Sequence, residues 1–133
     1  MRKLIALLLF SVSLPVFADD AQKIRAAALD YAEGWYAGDA GRMNRAVHPD
    51  LAKRIVEQGK VDSTTAGELV DGTRRGYGTR TPKQMRQADV RILDVFRNAA
   101  SVRLEMHGWI DYMHLAKFGD EWKIVNVLWE KKK

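Results

Sequence analysis

Two hydrophobic periodicities divide the chain, and their order limits the fold class. In the first half, apolar residues recur at the spacing of one helix face: Ile24, Ala27, Ala28, Tyr31 and Trp35. In the second half, apolar residues alternate with polar ones, as in a strand buried on one side: Val102, Leu104 and Met106. Helices followed by strands predict an α+β domain rather than alternating βαβ units.

Polar residues and glycines predict where the helices begin and end. Asp20 is positioned to cap a first helix that starts at Ala21 and stops at Gly38. Asp39 precedes a second, shorter helix that ends at 48–50, where a residue before proline avoids the helical region. The stretch 65–68 fits a capping box, which predicts a third helix to about residue 75.

The remaining segments are assigned as follows. Residues 51–57 fit either a helical turn or a short strand. Residues 58–63 are predicted to form a polar turn, and residues 76–82 a basic loop. Strands are predicted over 90–96, 101–107, 110–118 and 122–129. Strict alternation in the last strand places Trp122, Ile124 and Leu128 on one face and Val125, Val127 and Trp129 on the other. Two apolar faces favour a homodimer or a sheet that curves around its own contents.

The first residues have the pattern of an export signal. Arg2 and Lys3 precede a short apolar run, Pro15 interrupts it, and Val16-Phe17-Ala18 presents a cleavage site. We therefore expect a signal peptide over 1–18, a single domain over 19–133, and a periplasmic or secreted protein that no longer contacts a membrane once the signal is removed.

Composition excludes several classes of site and partner. The chain has no cysteine, which excludes thiolate metal sites, a cysteine nucleophile and disulfides. Its formal net charge of +5 includes Arg2 and Lys3, so the mature domain is only modestly basic, and we expect no nucleic-acid partner. The basic residues of the loop are interpreted as a solvated surface: Arg74, Arg75, Arg80, Lys83 and Arg86.

Two stretches resemble a known family. Residues 31–39 (YAEGWYAGD), with Met43 and His48-Pro49-Asp50-Leu51, resemble the first helices of the branch described as putative lumazine-binding in the nuclear transport factor 2-like superfamily. Residues 111–117 and 122–127 resemble its closing hairpin. The resemblance implies a cone of three N-terminal helices packed on a curved antiparallel sheet, with a pocket between the first helix and the concave face. It also implies a frequent homodimer, but no particular activity.

Candidate site residues follow from this interpretation. Aromatic and imidazole side chains are the candidates for contacting a small aromatic or anionic ligand: Tyr31, Trp35, His48, Tyr112 and Trp129. If the protein is an enzyme, Asp111 and His114 are the candidate proton-transfer groups, although strand alternation separates their side chains unless Gly108 introduces a bulge. His107 with these two residues does not make a convincing metal site, and we predict neither metal nor cofactor.

Three functions remain open from the sequence. The leading one is a small-molecule-binding protein without established catalysis. The first alternative is a small isomerase, dehydratase or cyclase that uses a pocket Asp or His, and the second is an accessory interaction module with a vestigial pocket. A deep pocket that holds Asp111 and His114 within mutual reach would favour the enzyme, and a pocket filled by side chains would favour the module.

Overall fold

Three helices pack on one face of a curved, six-stranded mixed sheet in the computed structural model, which describes residues 16–133. The helices are α1 (Val16–Ala37), α2 (Ala40–Ala46) and α3 (Ala66–Arg74). The strands are β1 (Val47–Glu57), β2 (Lys60–Thr65), β3 (Ala88–Phe96), β4 (Ala99–Met106), β5 (Trp109–Phe118) and β6 (Glu121–Lys131). Short 3₁₀ turns at Tyr77–Arg80 and Lys83–Met85 join α3 to β3. The predicted α+β architecture and its three helices are confirmed.

The sheet has the strand order β2-β1-β6-β5-β4-β3, and the prediction of a wholly antiparallel sheet needs one correction. All neighbours pair antiparallel except β1 and β6, which are parallel. The parallel contact arises because β1 inserts between β2 and the final strand. The helix-facing side of the central strands supplies much of the core, including Val102, Leu104, Met106 and Met113.

The start of α1 differs from the prediction, because Asp20 is not its cap. The helix already includes residue 16, and Asp20 is buried one turn inside it. Its carboxylate accepts a hydrogen bond from Trp122 Nε1 at 3.0 Å and pairs with Lys117 Nζ at 3.0 Å, and both bonds hold the pKa of Asp20 below its usual value. Asp20 therefore ties α1 to the β5–β6 hairpin. The predicted signal peptide lies almost entirely outside the described residues, so its cleavage stays a prediction.

Most of the other helix boundaries are as predicted, but α2 ends at Ala46 rather than at 48–50. The backbone is already extended at Val47, and residues 48–50 lie in β1. Gly38 ends α1 with a φ of 69°, a left-handed conformation that glycine adopts without strain. Asp39 caps α2 by accepting a hydrogen bond from the Arg42 backbone N–H at 3.0 Å. Thr65 and Glu68 form the complete capping box of α3. These local signals determine the residues at which the helices begin or end.

The first half of the chain contains two strands besides its helices, which decides between the two alternatives for 51–57 and corrects the predicted turn at 58–63. Residues 51–57 belong to β1, and most of the predicted polar turn at 58–63 is strand β2, leaving only Gln58 and Gly59 as the turn. Within 51–57 the buried positions are Leu51, Lys53 and Ile55. Because a lysine occupies one of these inward positions, the apolar alternation of the strand is interrupted. β2 is an edge strand with almost every side chain exposed, and it lacks an apolar face.

A β-bulge in β6 changes which side chains lie on each face of the strand, so the predicted division of its apolar residues between two faces is wrong. His114 pairs with Asn126 and Leu115 pairs with Ile124, so that Val125 is an extra residue and the facing of the strand reverses there. Trp122, Ile124, Val127 and Trp129 consequently all belong to the helix side. Leu128, opposite Tyr112, is exposed on the outer face. A homodimer stays a prediction. The apolar surface that supports it is now the smaller outer patch formed by Tyr112 and Leu128.

Candidate functional site

A cavity of about 520 Å³ opens between α1, α3, the 3₁₀ turn after α3 and one end of the sheet. Its walls are mainly aromatic and apolar: Tyr31, Trp35, Leu69, Gly72, Tyr77, Trp109 and Trp129. Its polar lining residues come from β1, β2, α3 and β6: Lys53, Thr64, Glu68 and Lys131. This size and composition are typical of a small-molecule site.

The aromatic wall follows from helical and strand spacing. Tyr31 and Trp35 are four residues apart in α1 and therefore share one face of the helix. The Trp35 and Trp109 rings meet edge to face at 6.3 Å between centroids. Trp109 and Trp129, on neighbouring strands, meet in the same manner at 6.1 Å. Edge-to-face contacts of this kind stabilise the ring positions.

A close contact between two backbones brings Tyr77 to the cavity. Gly78, in the 3₁₀ turn, lies directly on α1, where a Cβ at this position would come within 2.2 Å of the Trp35 carbonyl oxygen. Only glycine allows this approach. The turn therefore sits close enough to α1 for Tyr77 to form part of the wall.

A buried ion pair lies at the floor of the cavity. Lys53 Nζ is 2.8 Å from Asp111 Oδ1 and donates a hydrogen bond to Tyr31 Oη at 2.5 Å. Trp109 Nε1 donates to Asp111 Oδ2 at 2.9 Å. Both carboxylate oxygens of Asp111 are therefore engaged, and Asp111 is fully buried. The carboxylate positions the lysine, and it is the lysine that faces the cavity.

The Lys53 ammonium has one donor left for a ligand. Two of its three protons are used by Tyr31 and Asp111, and within residues 16–133 Nζ has no third polar acceptor. Nζ lies 4.8 Å from the centroid of the Trp129 ring and 5.3 Å from that of Tyr31, and both rings favour the positive charge.

Burial and charge act on the pKa values of this cluster. Burial lowers the pKa of Lys53, while the adjacent Asp111 carboxylate opposes that shift. Burial and the Asp111 charge both raise the pKa of Tyr31 well above its usual value, so its phenol stays neutral, and its oxygen accepts a hydrogen bond from the Lys53 ammonium. The floor thus carries one positive group held by one carboxylate.

Three of the predicted ligand-contacting residues line the cavity and two do not. Tyr31, Trp35 and Trp129 are in the wall. Tyr112 is exposed on the outer face of β5. His48 lies in β1 outside the cavity lining, with its ring stacked on Phe118 at 4.6 Å. The His48 Nδ1 accepts a hydrogen bond from the Asp50 backbone N–H at 3.1 Å.

Asp111 and His114 are not brought together. Both are on β5, and Gly108, which precedes the strand, does not reset its alternation. Asp111 consequently faces the helices, whereas His114 is exposed on the outer face and contacts Asn126 at 3.2 Å. Among the residues that the structure describes, no group of three or more His, Asp or Glu side chains is placed to hold a metal ion.

Sequence reasoning missed Lys53 and Trp109, which complete the floor. The signal for Lys53 was its place between Leu51 and Ile55, where alternation puts all three side chains on the buried face. A buried lysine needs a charge partner, and Asp111 is the one fully buried carboxylate among the described residues. Trp109 is two residues before Asp111 and therefore shares its face of β5.

Comparisons with known proteins agree with this fold. A family model described as "Putative lumazine-binding" matches residues 19–130. An NTF2-like protein of unknown function from Shewanella baltica OS155 has a TM-score of 0.71 and 19% identity, covering 90% of this chain and 99% of its own. One from Methylobacillus flagellatus KT has a TM-score of 0.64 and 22% identity, covering 92% and 98%. At these identities the likeness concerns the fold, and no curated protein matches the sequence.

Proposed function

The chain belongs to the family described as putative lumazine-binding, within the NTF2-like fold, and we propose that its cavity binds a planar heteroaromatic molecule. The observation that carries the proposal is the unused donor of Lys53 at the floor of an aromatic cavity. Ring faces hold a flat ligand by stacking, and a single buried ammonium orients a carbonyl or anionic group of that ligand.

The family description suggests the first ligand to test. Lumazine is a fused two-ring heteroaromatic with carbonyl oxygens, so it offers both a flat face and hydrogen-bond acceptors. A ring system of this size fits in about 520 Å³. A carbonyl of the ligand would accept the third Lys53 proton while its rings contact Trp129 and Trp109.

The two alternative functions have weaker support. The proton-shuttle enzyme relied on Asp111 and His114, which lie on opposite faces of β5, and Asp111 already has both oxygens bonded. The accessory module relied on a pocket filled by side chains, whereas the cavity is open. A preformed, unfilled aromatic cavity favours ligand binding.

Lumazine should quench the tryptophan fluorescence of the protein in a saturable manner. Three of the four tryptophans line the cavity, and the fourth, Trp122, is bonded to Asp20 away from it. Trp129→Ala should weaken the Kd about tenfold, because it removes one stacking face. The measurement is a fluorescence titration, repeated by calorimetry.

Two variants control this titration. Tyr112→Ala removes an aromatic side chain from the outer face and should leave the Kd unchanged. Trp122→Phe should keep the ligand-dependent quenching. The proposal fails if neither lumazine nor other fused-ring carbonyl compounds give saturable quenching, or if Trp129→Ala and Tyr112→Ala bind equally well.

The proposed location is the periplasm or the outside of the cell. The family match starts at residue 19, immediately after the predicted cleavage site, which supports a removable segment over 1–18. No helix within residues 16–133 is long and apolar enough to cross a membrane. Intact-mass analysis of protein from the native host should show a chain that begins at Asp19. Full-length protein beginning at Met1 in a membrane fraction would contradict export by cleavage.

A further inference from the structure

Lys53 differs from the other lysines of the described chain in its surroundings. It is the one buried lysine within residues 16–133, and its amino group is at the end of a cavity rather than on the surface. Lys131, also in the lining, is exposed and paired with Glu57 at the rim. A desolvated lysine in an apolar pocket is the usual setting of an amine nucleophile.

We propose that Lys53 forms an imine with a conjugated aldehyde or ketone held by the aromatic walls. This inference rests on the proposed binding function, because the same ring faces would hold the carbonyl compound. The aromatic lining selects a planar, conjugated carbonyl compound over a small polar one. The unused N–H of Lys53 orients the carbonyl oxygen toward the amine.

Groups already in contact with Lys53 account for each proton of the reaction. The ammonium passes a proton to Asp111 Oδ1, which is 2.8 Å away, and the neutral amine forms a bond to the carbonyl carbon. Proton transfer from nitrogen to oxygen gives a carbinolamine. The proton on Asp111 then returns to the hydroxyl group, the C–O bond breaks, and water leaves. One ammonium and one carbonyl thus give one iminium and one water, with no oxidant or reductant.

The iminium product keeps the electrostatic environment of the ammonium. Its positive charge remains beside the Asp111 carboxylate, which Trp109 Nε1 holds in place. The Trp129 and Tyr31 rings, which favour the lysine charge, favour the iminium charge in the same position. Burial lowers the pKa of Lys53, which reduces the cost of the initial proton transfer.

Reductive trapping tests this directly on the whole protein. We expect 2-naphthaldehyde with sodium cyanoborohydride to add one naphthylmethyl group to Lys53, about tenfold or more faster than to any exposed lysine. Intact mass and peptide mapping measure the extent and the position of labelling. Lys53→Arg should lose the fast adduct and keep the slow surface labelling.

An unreactive isostere separates the two proposals without relying on a variant. 2-Naphthamide should quench the tryptophan fluorescence and protect Lys53 of the unaltered protein from labelling. If 2-naphthamide binds but labelling is equal at Lys53 and at surface lysines, the imine is excluded and binding stands. If 2-naphthamide and lumazine both fail to bind and no fast adduct forms, both proposals are overturned.

Discussion

Lys53→Met should lower the free energy of unfolding by about 3–5 kcal/mol, because it leaves the Asp111 carboxylate buried without its cation. Methionine has a similar length and no charge, so the cavity floor keeps most of its packing. Tyr31 Oη also loses its donor. Urea denaturation followed by far-UV circular dichroism gives the free energy of unfolding.

The double variant Lys53→Met/Asp111→Asn distinguishes loss of the pair from loss of packing. Removing both charges should cost less than the sum of the two single variants, with a coupling of about 1–3 kcal/mol. Lys131→Met is a matched control, since it removes a lysine of the same cavity whose partner Glu57 is also exposed. It should cost less than about 1 kcal/mol. Additive single effects would show that the buried pair does not act as a unit.

Local signals in the sequence were sufficient for most of the architecture. Asp39, Gly38 and the Thr65–Glu68 box mark helix ends because a cap is satisfied within a few residues of itself. The alternation around Leu104 marks β4 because one face of that strand is entirely apolar. These features depend on neighbouring residues only, so they can be recognised in a single sequence without its structure.

Features that depend on distant pairing were not visible. The bulge at Val125 exists only in the register between β5 and β6, and it moves Val127 and Trp129 to the helix side. Lys53 interrupts the apolar alternation of β1. Its charge partner Asp111 is 58 residues away in the sequence, so neighbouring residues do not show that this lysine is buried. The aromatic residues of the site could be predicted in part, as for Tyr31, Trp35 and Trp129. The charged floor could not, because it is defined by a tertiary contact.

Gly78→Ala should destabilise the protein by about 1–3 kcal/mol and disturb the cavity wall. A Cβ at residue 78 would lie 2.2 Å from the Trp35 carbonyl oxygen and 2.5 Å from Trp35 Cδ1, and neither atom is the free end of a flexible side chain. α1 and the turn that carries Tyr77 must separate to relieve the overlap. We expect a lower urea midpoint, a changed near-UV circular dichroism signal from Trp35, and a weaker Kd for lumazine.

Gly67→Ala is the matched control for this change. Gly67 is in the first turn of α3, and an added Cβ there has no neighbour within 4 Å. Alanine is a better helix former than glycine, so this variant should be unchanged or more stable by up to about 1 kcal/mol. Equal stability of the two variants would mean that the turn moves away from α1 at little cost. The close approach at Gly78 would then not be what holds Tyr77 in the cavity wall.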